Sequence, residues 1–119
     1  MNKSVIVVCD HGNASRMVGH FLRMELDRRE ISADILARGI FAKIPTDAEI
    51  MASEAVIVAF DEGQLEILKS QGFPDDYAAS WRQFCNRVKK LGKPIFCYQD
   101  YRTHSRVEPK TLADLVFGK

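Results

Sequence analysis

Cys9, Ser15 and Arg16 are the residues whose types and spacing point to chemistry, and they share one short segment, Cys9-Asp10-His11-Gly12-Asn13-Ala14-Ser15-Arg16. The β-branched run Val5 to Val8 precedes it and an amphipathic stretch follows it. A strand that passes through a Gly-Asn turn into a helix aims several backbone N–H groups at one point. The helix dipole adds positive potential there. That field favours an anion, and it favours Cys9 as thiolate, the nucleophilic form. Ser15 is spaced to hydrogen-bond the sulfur. Arg16 has the planar fork that grips two oxygens of a phosphate. The implied chemistry is attack on a phosphoryl group through a covalent cysteinyl-phosphate. The plainer readings are a buried thiol at a strand end and a solvated arginine, although the dipole disfavours a cation in a first helical turn.

With these residues in view, the loop resembles that of the low-molecular-weight protein tyrosine phosphatases and the related arsenate reductases. That family carries a Cys, five residues and then an Arg between its first strand and first helix, usually with Gly-Asn inside. Gly12-Asn13 and Arg16 stand in the matching place, and six residues separate Cys9 from Arg16. Aligning Gly12-Asn13 and Arg16 puts the nucleophile position on Asp10; aligning Cys9 puts Ser15 at the arginine position. The resemblance implies Cys9 as nucleophile, with Asp10, His11, Gly12, Asn13, Ala14 and Ser15 forming the phosphate loop and Arg16 clamping the oxygens. It also implies a general acid, for which Asp100 is the first choice by position and Asp75 and Asp76 are alternatives. Tyr98 and Tyr101 are the candidates for an aromatic specificity wall. The expected reaction is hydrolysis of a phosphomonoester, phosphotyrosine among them, on a small molecule or a phosphoprotein, with no cofactor and no metal.

Two other readings use the same loop. The pattern Cys9-x-x-Gly12-x-x-Ser15 also resembles the phosphocysteine loop of the IIB components of sugar phosphotransferase systems. Those carriers hold phosphate with backbone amides and require no arginine. A catalytically inactive anion-binding relative is the remaining alternative. A metal reading gathers Asp10, Asp61, Glu62 and Asp100 at one rim, where carboxylates hold Mg²⁺, but Asp61 reads better as a helix N-cap. His11 is open between ligand, phosphate donor and solvated loop residue.

The elements that must position the loop follow from periodicity. Val5–Cys9 and Ala55–Phe60 are continuous apolar runs, as in strands buried on both faces. Pro94–Tyr98 is a third such run, and Ile31–Ala37 is a weaker strand. Helices are expected from Ala14 to about Arg29, capped by Asn13 or Ser15; after the capping box Thr46-Asp47-Ala48-Glu49; after Asp61, ending at Gly72; from Tyr77 to Leu91; and from Pro109 to Phe117. Phe73 to Asp76 reads as a loop, and the face made by Tyr77, Trp81 and Phe84 reads as core. Alternating strands and helices with right-handed crossovers give an α/β fold. It is a three-layer, doubly wound, four-stranded parallel sheet of order 2-1-3-4, one domain over residues 1–119. Its switch point lies between strands 1 and 3, where ligands bind beyond the carboxyl ends. Cys9 to Arg16 and Asp61 to Gln64 should meet there, bordered by Gln99 to His104.

Bulk properties restrict the partners. A net charge of +1 gives no general attraction to nucleic acid or an anionic membrane. No apolar run approaches the roughly 20 residues of a membrane span. Three cysteines without a CxxC pair suggest neither a disulfide framework nor structural zinc. The thiols are expected to be reduced and the protein cytoplasmic, with Cys85 and Cys97 as inert core residues.

Overall fold

A computed structural model describes residues 3–60, 62–100 and 105–118, with the side chains of Glu62 and Asp100 outside that description. The elements run β1 (Lys3–Cys9), α1 (Asn13–Arg28), β2 (Ala33–Gly39), α2 (Asp47–Ala52), β3 (Ala55–Val58), α3 (Glu62–Ser70), α4 (Asp75–Lys90), β4 (Ile95–Cys97), β5 (Gln99–Asp100), β6 (Ser105–Arg106) and α5 (Pro109–Phe117). Strands β1 to β4 form an all-parallel sheet of order β2-β1-β3-β4, as the alternating pattern predicts. In register, Val8 is level with Arg38 on one side and Val58 on the other, and Val58 is level with Cys97.

The two central strands explain their own composition. Val5 to Val8 and Ala55 to Val58 are fully or almost fully buried because helices cover both faces. Right-handed crossovers place α1 on one face, packed against β2 and α5, while α2, α3 and α4 cover the other. Leu22 and Leu26 of α1, Leu65 and Leu68 of α3, and Trp81, Phe84 and Val88 of α4 point into this core.

Several boundaries differ from the sequence expectation. Strand β2 starts later, at Ala33, and extends through Gly39. The parallel ladder with β1 selects that register, level with Cys9 at its end. Helix α4 begins at Asp75, so Asp75 and Asp76 form its first turn instead of a loop; acidic residues there complement the dipole. Gln99 to Arg106 contributes a short antiparallel pair, β5 with β6, which no hydrophobic period announces. Asp61, the expected N-cap of α3, lies outside the described residues, as do Tyr101 and His104. Among the described residues no helix is long and apolar enough to cross a membrane.

Candidate active site at the carboxyl edge of the sheet

Cys9 ends β1 beside the switch point and is only 6% exposed. The chain turns back at once. Gly12 adopts φ +97°, in the left-handed region where a side chain is strained, and serves as the N-cap of α1. Neither Asn13 nor Ser15 caps the helix with its side chain. The turn instead directs backbone donors at the sulfur: Gly12 N–H lies 3.0 Å and Ser15 N–H 3.3 Å from Cys9 Sγ. Ser15, fully buried, brings its Oγ within 3.4 Å of the sulfur, as the loop spacing predicts. In the thiol form Cys9 donates to that oxygen. The Ser15 hydroxyl donates toward the Gly12 carbonyl at 2.9 Å and the Arg38 carbonyl at 3.1 Å, tying the loop to β2.

The end of β2 braces the loop from behind. Ile40 N–H donates to the Cys9 carbonyl and Phe41 N–H to the Asp10 carbonyl, each at 2.9 Å. Gly39 lies so close that a Cβ there would stand 2.5 Å from the His11 carbonyl carbon and 2.7 Å from Gly12 N. Only a glycine permits this approach.

In front of the sulfur is a cavity of about 220 Å³ lined by Cys9, Asp10, His11, Asn13, Ala14, Ala59, Phe60, Tyr98 and Gln99. That is below the range of about 300–1,000 Å³ typical for whole drug-sized ligands, and it suits a small group such as a tetrahedral oxyanion. The cavity thus joins the end of β1, the start of α1, the end of β3 and the segment after β4. Arg16 is exposed on the first turn of α1 and does not line it. Asp75 and Asp76 are exposed and do not line it either. Asp100 follows Gln99 on β5, adjacent to the lining.

Asp10 has partners that sequence reasoning missed. Tyr77 Oη donates to its carboxylate, 2.8 Å from both oxygens, and Trp81 Nε1 donates to Oδ1 at 2.9 Å. Both donors come from α4. Their helical period marks them as core, which holds for the ring of Trp81, but the polar tips of Tyr and Trp seek partners when buried. That was the available signal. Phe41 stacks on Tyr77 at 5.6 Å between ring centroids, and His11 and Phe73 flank this pair at 6.0 and 5.3 Å. An aromatic cluster therefore packs against Asp10 and His11, two residues of the cavity lining.

Tyr98 is 1% exposed, and its hydroxyl has no hydrogen-bond partner among the described residues. Burial pushes its phenol far above the ordinary range, and the nearby charge of Cys9 adds to the shift. Cys97 is half-buried, its thiol directed at the carbonyls of Gln99 and Ala59. Among the described residues no group of three His, Cys, Asp or Glu side chains gathers as metal ligands; Asp61 and the side chains of Glu62 and Asp100 fall outside the description.

No protein-family model matches this chain, and no curated protein matches it.

Proposed function

We propose that the protein is a cysteine-dependent phosphatase, similar in mechanism to the low-molecular-weight tyrosine phosphatases, that hydrolyses a phosphomonoester through a cysteinyl-phosphate. The observation that carries this reading is the pair of backbone N–H groups on Cys9 Sγ at the amino end of α1, facing a cavity of oxyanion size. These donors stabilise the negative charge that the sulfur carries as nucleophile and as leaving group, and the N–H groups of a first helical turn favour the phosphate beside it. The Cys9 sulfur attacks phosphorus, the phosphorus–oxygen ester bond breaks, and its electron pair leaves with the alcohol oxygen. Asp100 is assigned the proton that this oxygen takes up. Water then attacks phosphorus as the Asp100 carboxylate takes one of its protons, the sulfur–phosphorus bond breaks with its electron pair returning to sulfur, and inorganic phosphate departs as the thiolate re-forms. The wall of Phe41 and Tyr77 supports an aryl ester such as phosphotyrosine, whose ring would stack there.

One observation favours a second reading. Arg16 stands outside the cavity, so backbone amides carry the anion, as in the phosphocarrier domains of sugar phosphotransferase systems. The deciding experiment is hydrolysis of para-nitrophenyl phosphate by wild type and Cys9→Ser, from pH 5 to 7, without metal and with a chelator. Turnover that falls at least ~1,000-fold in the variant is expected, in line with losses seen when a nucleophile is removed. Turnover that survives the substitution sinks the mechanism. A wild type that hydrolyses nothing but takes up phosphate on Cys9 from a phosphorylated protein donor replaces hydrolysis with carriage.

A further inference from the structure

A phosphate seated over Cys9 brings its charge close to the Asp10 carboxylate. Among the described residues, the cavity lining sets no lysine or arginine against that charge, and Arg16 of the loop does not line it. The amino end of a helix supplies only partial charge. A full cation stands at the rim, on β6.

Three observations place Arg106 there. In the β5–β6 ribbon it is paired directly with Gln99, a lining residue, so the two Cα atoms are about 4.5–5.5 Å apart and share a face. Secondly, Arg106 Nη1 lies 3.9 Å from Met17 Sδ on α1. Helical side chains lean toward the amino end and cover the turn before their own Cα. The turn before Met17 holds Asn13 and Ala14, which line the cavity. Thirdly, burial raises the Tyr98 phenol, the Cys9 charge adds to the rise and the Arg106 charge opposes it, so both charges are felt at one buried group. The guanidinium therefore stands between the Gln99 and Asn13–Ala14 walls of the cavity. Its hold there is weak. Arg106 is exposed, a thioether is a poor acceptor, and among the described residues no carboxylate pairs with it. Exposed side chains change rotamer within nanoseconds, so the fork can turn from the sulfur to an anion in the mouth.

We propose that Arg106 is the cation of the anion site, its guanidinium donating two N–H groups to oxygens of the tetrahedral oxyanion over Cys9. This rests on the reading of Cys9 as a phosphoryl acceptor and supplies, from the hairpin, the arginine that the loop turns to solvent. The planar fork matches two oxygens of one phosphoryl group. It thus favours a terminal phosphate, whose oxygens are unsubstituted and carry the charge, over a diester.

The test is calorimetric titration of reduced wild type and Arg106→Gln with inorganic phosphate at low and high sodium chloride, beside thermal unfolding of both without phosphate. Loss of a charge-assisted pair should weaken phosphate binding about ten-fold or more at low salt. Added salt should weaken wild type more than the variant, because it screens the pair that only wild type has. The unfolding midpoints should agree, since the side chain is exposed and touches only a thioether. Equal phosphate affinity in the two proteins overturns the assignment. So does weaker binding with a lowered midpoint or with the salt dependence of wild type, either of which would mark a structural role. Absence of phosphate binding in wild type overturns both the assignment and the anion site beneath it. Para-nitrophenyl phosphate turnover by the same samples separates the two claims. Arg106-dependent binding without turnover keeps the cation and discards hydrolysis, while turnover with Arg106-independent binding does the reverse.

Discussion

A carboxylate next to a nucleophilic sulfur repels a second anion, and Asp10 directly follows Cys9 in the chain. Three hydrogen-bond contacts from Tyr77 and Trp81 meet that carboxylate, so its charge is spread over donors of α4. Through its side chain Asp10 is a strut between the loop and that helix. Asp10→Ala leaves the indole N–H of the buried Trp81 unpaired, which costs about 1–3 kcal/mol. Urea unfolding should show that loss. Asp10→Asn keeps an acceptor for Trp81 and should lose less; equal stability of Asp10→Ala and wild type would refute the strut. At this scale the sequence makes Cys9 and Ser15 legible, because their contact is local and the Gly-Asn turn that creates it is written between them. Tyr77, Trp81 and Tyr98 reach the site across long chain separations. Apolar periodicity reports only that their rings face inward, and it is silent on where a hydroxyl or an indole N–H finds its partner.

The loop owes its shape to the elements that hold it. Strand β2 ends level with Cys9, and its last residue presses against the His11 and Gly12 backbone. Gly39→Ala forces a methyl into that backbone at distances no real Cβ shows, so the loop must move or β2 must slip. We expect a loss of about 2 kcal/mol or more, within the range for overpacking, together with at least a ten-fold drop in phosphate affinity as the loop that frames the cavity leaves its position. Thermal unfolding and calorimetry measure the two effects; a variant as stable and as tightly binding as wild type would show that the brace is dispensable. Element types were legible from periodicity and punctuation. The capping box at Thr46 is present, with Thr46 Oγ1 accepting from Glu49 N–H at 3.1 Å and Glu49 accepting from Thr46 N–H at 3.0 Å. The exact end of β2 was not legible, since register in a parallel ladder is set by the neighbouring strand and not by the weak pattern of Ala33 to Gly39.

Over the whole molecule, the order β2-β1-β3-β4 places β3 between the two strand-end thiols. Cys9 follows Val8, whose level runs through Val58 to Cys97, so two strand spacings of about 4.8 Å and a one-residue offset of about 3.3 Å put the Cys9 and Cys97 Cα atoms roughly 10 Å apart. A disulfide spans at most about 7 Å. Diamide treatment of the folded protein should therefore yield no Cys9–Cys97 bond in non-reducing peptide mass spectrometry, and finding that bond would mean that the sheet opens. An arsenate-reductase cycle that regenerates Cys9 through Cys97 does not fit this arrangement. The sheet order follows from right-handed crossovers once the alternation of strands and helices is seen. It is the topology, and no single residue, that separates these thiols.

The chain contains one tryptophan, and that tryptophan is Trp81. Its indole nitrogen rests on the carboxylate of Asp10, the residue after Cys9. The excited state of an indole redistributes charge, so its emission responds to a neighbouring ion. The protein thus has a native, single-site fluorophore hydrogen-bonded to the Cys9 loop, and a shift of Asp10 on filling the cavity would register in its intensity or colour without any added label.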